Sequence, residues 1–182
     1  SKAVVMTGLG LTSVDHRSIA ESHQYVLASI KKYPQRLFFN PVINPRYSVR
    51  DQLDQIRVWK DEYNVRMLKL HPSMHNYYLP TYRPFPGDES KKRVYPVFEL
   101  ARELGAPVMI HMGESPYSVP AQIAPVAEAF ADVPIICAHS GANNIPSNAL
   151  DAILLARTHD NVYLGTSWVQ MPELIEMYYA IG

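Results

Sequence analysis

Cysteine is almost absent: Cys137 is the only one in 182 residues, so no internal disulfide framework is available. That usage fits a reducing compartment, and the expected location is cytoplasmic. Neither sign of charge is in excess, with 17 Lys plus Arg against 17 Asp plus Glu. A nucleic-acid or anionic-membrane surface needs a basic surplus. The short basic run Lys91-Lys92-Arg93 follows Asp88 and Glu89 and reads as a solvated face. No apolar run reaches the roughly 20 residues of a membrane span. The opening Ser1–Leu11 carries no cleavable signal pattern. No glycine-rich phosphate loop follows any apolar run, so the fingerprint of a nucleotide-binding sheet is missing. Nucleic-acid and membrane partners are excluded on these grounds, which leaves a small-molecule substrate, with a homo-oligomer left open.

What is present is ample core material: 47% of the residues are apolar and 19% charged, enough for one domain over residues 1–182. Six apolar runs read as buried strands: Ala3–Met6, Leu37–Ile43, Val65–Leu70, Val108–Ile110, Ile135–Ala138 and Val162–Leu164. Near-continuous Val, Ile, Leu and Met, rather than strict alternation, marks parallel strands covered on both faces. Between the runs the period changes to that of a helix. Ile19, His23, Val26 and Ile30 share a stripe, as do Val49, Leu53, Ile56 and Tyr63. Val94, Val97, Phe98, Ala101 and Leu104 form another, which Gly105 stops. The series predicts an α/β fold of parallel strands with crossover helices. The longest interval holds Ser73–Ser90, a Pro- and Tyr-rich stretch without helical period that reads as a functional loop. An open doubly-wound sheet and a barrel both remain open at this point.

The chemistry gathers at strand ends. Met67-Leu68-Lys69-Leu70-His71-Pro72, Ile110-His111-Met112-Gly113-Glu114 and Cys137-Ala138-His139-Ser140-Gly141 close three successive runs, and Trp168 follows the last. Sites in parallel α/β folds are built at the carboxyl ends of strands. Lys69 and His71 are two apart and share a face. Neutral imidazole is the commonest ligand for zinc and similar cations, so converging histidines point to a metal. Taken alone, His71 reads as a cap on its strand. Arg83 in the long loop reads as a carboxylate clamp or as a solvated rim residue. Glu114 reads as support for the site or as an exposed side chain. Cys137 reads as a small buried filler, and His16, His23, His75 and His159 as surface or core residues.

The order Lys-Leu-His-Pro, Glu-Leu-Gly-Ala-Pro-Val-Met-Ile-His, Pro-Ile-Ile-Cys-Ala-His-Ser-Gly and Asn-Val-Tyr-Leu-Gly-Thr-Ser resembles the amidohydrolase superfamily. The nearest branch is the amidohydrolase-related group, which contains metal-dependent hydrolases and decarboxylases. The resemblance runs from about Ala3 to Gly182. It implies a (β/α)8 TIM barrel with a divalent metal, zinc first and manganese or iron as alternatives, at the carboxyl face. His111 matches the fifth-strand metal ligand. His139 matches the sixth-strand histidine, a catalytic proton shuttle in one-metal members and a second ligand in two-metal members. Lys69 stands where two-metal members carry a carboxylated lysine, and would ligate only in that form. His71, Glu114, Arg83 and Trp168 are the substrate-binding candidates. The family's first-strand His-x-His and its eighth-strand aspartate have no counterpart here. A barrel typically takes about 250 residues, roughly 70 more than this chain. The expectation is therefore an incomplete barrel of six βα units, family strands two to seven. The implied activity is hydrolysis of an amide, ester or lactone by metal-activated water, with non-oxidative decarboxylation as the alternative. A non-catalytic binding scaffold and an open sheet with structural histidines are the readings from other classes.

Overall fold

The computed structural model describes residues 1–8, 18–114, 116–141 and 148–182. His16, read above as a surface or core residue, lies outside them. The strands among the described residues are β1 (Ala3–Val5), β2 (Leu37–Phe39), β3 (Val42–Ile43), β4 (Leu68–Leu70), β5 (Val108–His111), β6 (Ile135–Ala138) and β7 (Val162–Leu164). Between them run the helices α1 (Ile19–Lys32), α2 (Val49–Glu62), α3 (Pro72–His75), α4 (Ser90–Leu104), α5 (Ala124–Ala129) and α6 (Asn148–Thr158), with α7 (Met171–Ile181) last. Every pairing is parallel, β1 with β2 and then β3-β4-β5-β6-β7 in order. A doubly-wound sheet reverses its strand order at a switch point, whereas within each of these two sheets every strand lies beside its predecessor. That consecutive order is the one a barrel uses.

One expected strand, Leu37–Ile43, is broken in two. Pro41 has no N–H to give to a ladder, so β2 ends at Phe39 and β3 resumes at Val42. The break is bridged rather than open: Phe39 still pairs with Val65, and Lys69 N–H donates to Pro41 O at 3.0 Å. Val42 N–H, at the restart, donates to His23 Nε2 at 2.9 Å. The other His23 nitrogen, Nδ1, lies 2.7 Å from Ile19 O. His23 therefore ties α1 to the sheet, with Phe39 and Trp59 packed edge-on against its ring.

Elsewhere the local rules act as expected. Ser18 and Glu21 form a reciprocal cap on α1, and Gly105 at φ 61° ends α4 in the left-handed conformation. Leu68, Leu70, Val108, Ile110, Ile135 and Cys137 are fully or almost fully buried from strands packed under the helices, alongside Val94, Val97 and Phe98 of α4. The stretch expected to be pure loop begins with a helical turn, α3. Pro72 supplies the fixed φ that a first helical residue wants, and Asn76 at φ 53° closes the turn. Among the described residues no helix is long and apolar enough to cross a membrane.

Candidate metal centre at the strand ends

Register brings the histidines together. Leu70 pairs with Ile110, so the next residues, His71 and His111, leave the sheet side by side. His111 pairs with Ala138, which sets His139 one step beyond it on the next strand. The rings of His71 and His111 stack at 3.7 Å between centroids, and the His139 ring meets His111 edge-on at 4.9 Å. A loop then turns back: Gly113 N–H donates to Ser118 O, and Tyr117 and Ser118 N–H both donate to Glu114 O. That closure holds Glu114 over the same spot, with its Oε2 3.0 Å from His111 Nε2.

These side chains line a cleft of about 500 Å³ together with Ser73, Met74 and Trp168. One ligand atom from each of His71, His111 and Glu114 falls within 4.8 Å of the others. His111 Nε2 is buried and, though close to Glu114 Oε2, makes no hydrogen bond of acceptable geometry. A buried imidazole nitrogen without a hydrogen-bond partner, facing a carboxylate oxygen, is a donor set suited to a divalent cation. Ser73, which sequence reasoning did not single out, donates its hydroxyl to Glu114 Oε2. Its place two residues beyond His71 was the only available signal.

The electrostatics follow from burial. His71 is pushed down to about 2 by burial first, then by the neighbouring His111, Lys69 and His75. Burial also lowers His111, against an opposing pull from Glu114. Lys69 lies under the cleft, 2% exposed, and burial brings its amine down to about 7 while Glu114 acts to raise it. Cys137 is pushed up to about 12, which suits a buried filler and not a nucleophile.

His139 sits on strained backbone. His139, Ser140 and Gly141 have φ of 62°, 47° and 74°, three left-handed residues in succession. For the two non-glycine residues such φ costs on the order of 1 kcal/mol each. Gly141 is required there, since a Cβ would come within 2.9 Å of Pro120. The turn is latched to the end of β7, where Ser140 Oγ donates to Gly165 O at 2.9 Å and His139 Nδ1 lies 3.1 Å from Ser167 O.

Of the residues expected to bind substrate, His71, Glu114 and Trp168 reach the cleft. Arg83 does not. It is exposed on the long loop and absent from the cleft lining. Of the loop's tyrosines, Tyr77 is buried, Tyr78 stacks on Tyr117, and Tyr82 donates to Glu128. His71 fills the capping role that its sequence position allowed, accepting Met74 N–H at 3.2 Å as the N-cap of α3.

Comparison with known proteins agrees with this architecture. Among solved structures, the chain is similar to the dihydroorotase of Campylobacter jejuni, with 15% sequence identity and a TM-score of 0.52. The match covers 84% of this chain and 42% of that one, so the chain spans less than half of its structural neighbour. No curated protein sequence matches significantly. A family model described as amidohydrolase matches residues 3–178, nearly the whole length. The alternating fold, the strand-end histidines and that match together place the chain in the amidohydrolase superfamily.

Proposed function

We propose that the protein is a metal-dependent hydrolase of an amide, ester or lactone bond in a small molecule, working in the cytoplasm. The observation that supports it most is the gathering of His111, Glu114 and His139 in one cleft at the carboxyl ends of adjacent strands. His111 Nε2 and the Glu114 carboxylate are this chain's own donors for a divalent ion, with zinc the first candidate and manganese or iron next. Lys69 joins them only if its amine is carboxylated, which its burial under the cleft and lowered basicity favour. When bound, the cation supplies Lewis-acid polarisation and a water acidified towards neutrality.

The protein's part is orientation and proton transfer. Ser73 holds the Glu114 carboxylate in place. Ser167 holds His139 through Nδ1, with its carbonyl at 3.1 Å and its hydroxyl at 2.9 Å, which leaves Nε2 as the nitrogen for proton transfer. Trp168, 75% exposed and with its ring 6.1 Å from that of His139, walls the cleft for substrate.

The test is elemental analysis of purified protein with its intact mass measured on the same sample, followed by assay on amides, esters and lactones. About one or two equivalents of metal per chain and release of a hydrolysis product support the reading. Metal-free protein, or carbon dioxide as the product, overturns it, the second outcome in favour of the decarboxylase alternative.

A further inference from the structure

His71 lies close enough to His111 and Glu114 to be counted as a third metal ligand, but its hydrogen bonds argue otherwise. Its Nδ1 accepts the backbone N–H of Met74 at 3.2 Å. A backbone amide only donates, so Nδ1 carries a lone pair and the neutral ring holds its proton on Nε2. Ser73 Oγ also lies 3.2 Å from Nδ1, but its single proton goes to Glu114 Oε2. A metal takes imidazole through a lone pair, and the one lone pair of this ring is spent on capping α3. Ligation by His71 would leave the first turn of α3 without its cap.

His139 is held by a different partner across the same cleft. Its Nδ1 lies 3.1 Å from the Ser167 carbonyl and 2.9 Å from the Ser167 hydroxyl, so Ser167 occupies that nitrogen and Nε2 is the one left for the cleft. His111 stands between the two rings, stacked on one and edge-on to the other. The His71 wall of the cleft thus offers an N–H.

We infer that His71 is a substrate-facing hydrogen-bond donor through Nε2–H, directed at a carbonyl or carboxylate oxygen of the bound molecule, and is not a ligand to the metal. The inference deepens the hydrolase reading and rests on it for the identity of the cleft as the reacting site. It gives the substrate an oxygen acceptor opposite the His139 base.

The experiment is a two-bond 1H–15N correlation spectrum of the histidine-labelled protein, with His71 assigned from the signals lost in His71→Gln. The expected pattern is that of the Nε2–H tautomer for His71. Added Zn2+ should move the His111 signals and leave the His71 tautomer unchanged. Zinc affinity in His71→Gln should stay within about two-fold of the parent, while His111→Ala weakens it at least ten-fold. Sodium acetate and acetamide are the oxygen probes. A shift of His71 Nε2 with acetate assigns a carboxylate acceptor, and one with acetamide a carbonyl. An Nδ1–H pattern for His71, zinc loss in His71→Gln matching that of His111→Ala, or silence towards both probes overturns the inference. If zinc moves no histidine, the hydrolase reading fails, and the apo tautomer still decides whether His71 can donate.

Discussion

Two buried histidines, His23 and His111, show what separates a structural imidazole from a chemical one. Both are almost inaccessible, at 0% and 7% exposure. His23 has Val42 N–H on one nitrogen and Ile19 O against the other, so no valence is left for chemistry. His111 has its Nε2 buried beside a carboxylate without a hydrogen bond, on the wall of an open cleft. Burial alone does not distinguish them. An unspent nitrogen facing a cavity does, because a polar atom left without a partner costs about 1–3 kcal/mol unless a ligand repays it.

The sharpest way to break that comparison is to remove each unspent nitrogen. His111→Ala should abolish metal retention in elemental analysis and take turnover below detection. If the variant kept both metal and rate, His111 would be structural after all. His139→Asn comes next: it should keep its metal and lose about 10²–10⁴-fold in kcat, the usual worth of a general acid–base group. Equal loss of metal would make His139 a ligand instead. Glu114→Gln removes the charge facing His111 while keeping shape, and should weaken metal binding about 10–100-fold in a chelator competition titration.

His23 should respond in stability instead of activity. Burial lowers its pKa from 6.5 to about 4 in the folded state. The folded protein thus favours the neutral ring more than the unfolded chain does. The stabilisation is complete above about pH 6.5 and is lost as pH falls towards 4, amounting to about 3 kcal/mol at a worth of about 1.4 kcal/mol per pKa unit. Urea titrations across that window should show the loss in the parent and a shallower pH slope in His23→Gln. An unchanged slope would mean that another group carries the acid sensitivity. The smallest effect belongs to Arg83→Ala, which should leave kcat/KM within about two-fold and stability within about 0.5 kcal/mol, as expected for an exposed side chain away from the cleft. A larger fall in kcat/KM would restore the carboxylate clamp.

Much of this was legible in the chain. Apolar runs and helical stripes mark the strands and helices because burial imposes its period locally. His111 and His139 stood out because they end such runs. Three features were not legible. The break at Pro41 needed His23, 18 residues earlier, as acceptor for Val42. The turn α3 was hidden in a stretch rich in Pro and Tyr, where a four-residue helix leaves no period to detect. Ser73 became visible only through its contact with Glu114, 41 residues away.

The sequence by itself determined most of the strands and helices, apart from the break at Pro41 and the turn α3, and that basic and imidazole side chains stand at the strand ends. Those properties follow from neighbours along the chain. The tertiary structure decided between a doubly-wound sheet and consecutive barrel order, set the register that stacks His71 on His111, and drew Glu114 into the cleft while leaving Arg83 outside it. It also decided where the His71 ring proton sits, since the Met74 amide can only donate to Nδ1. Such partners are placed by local turns and distant strands, and composition and periodicity carry no record of them.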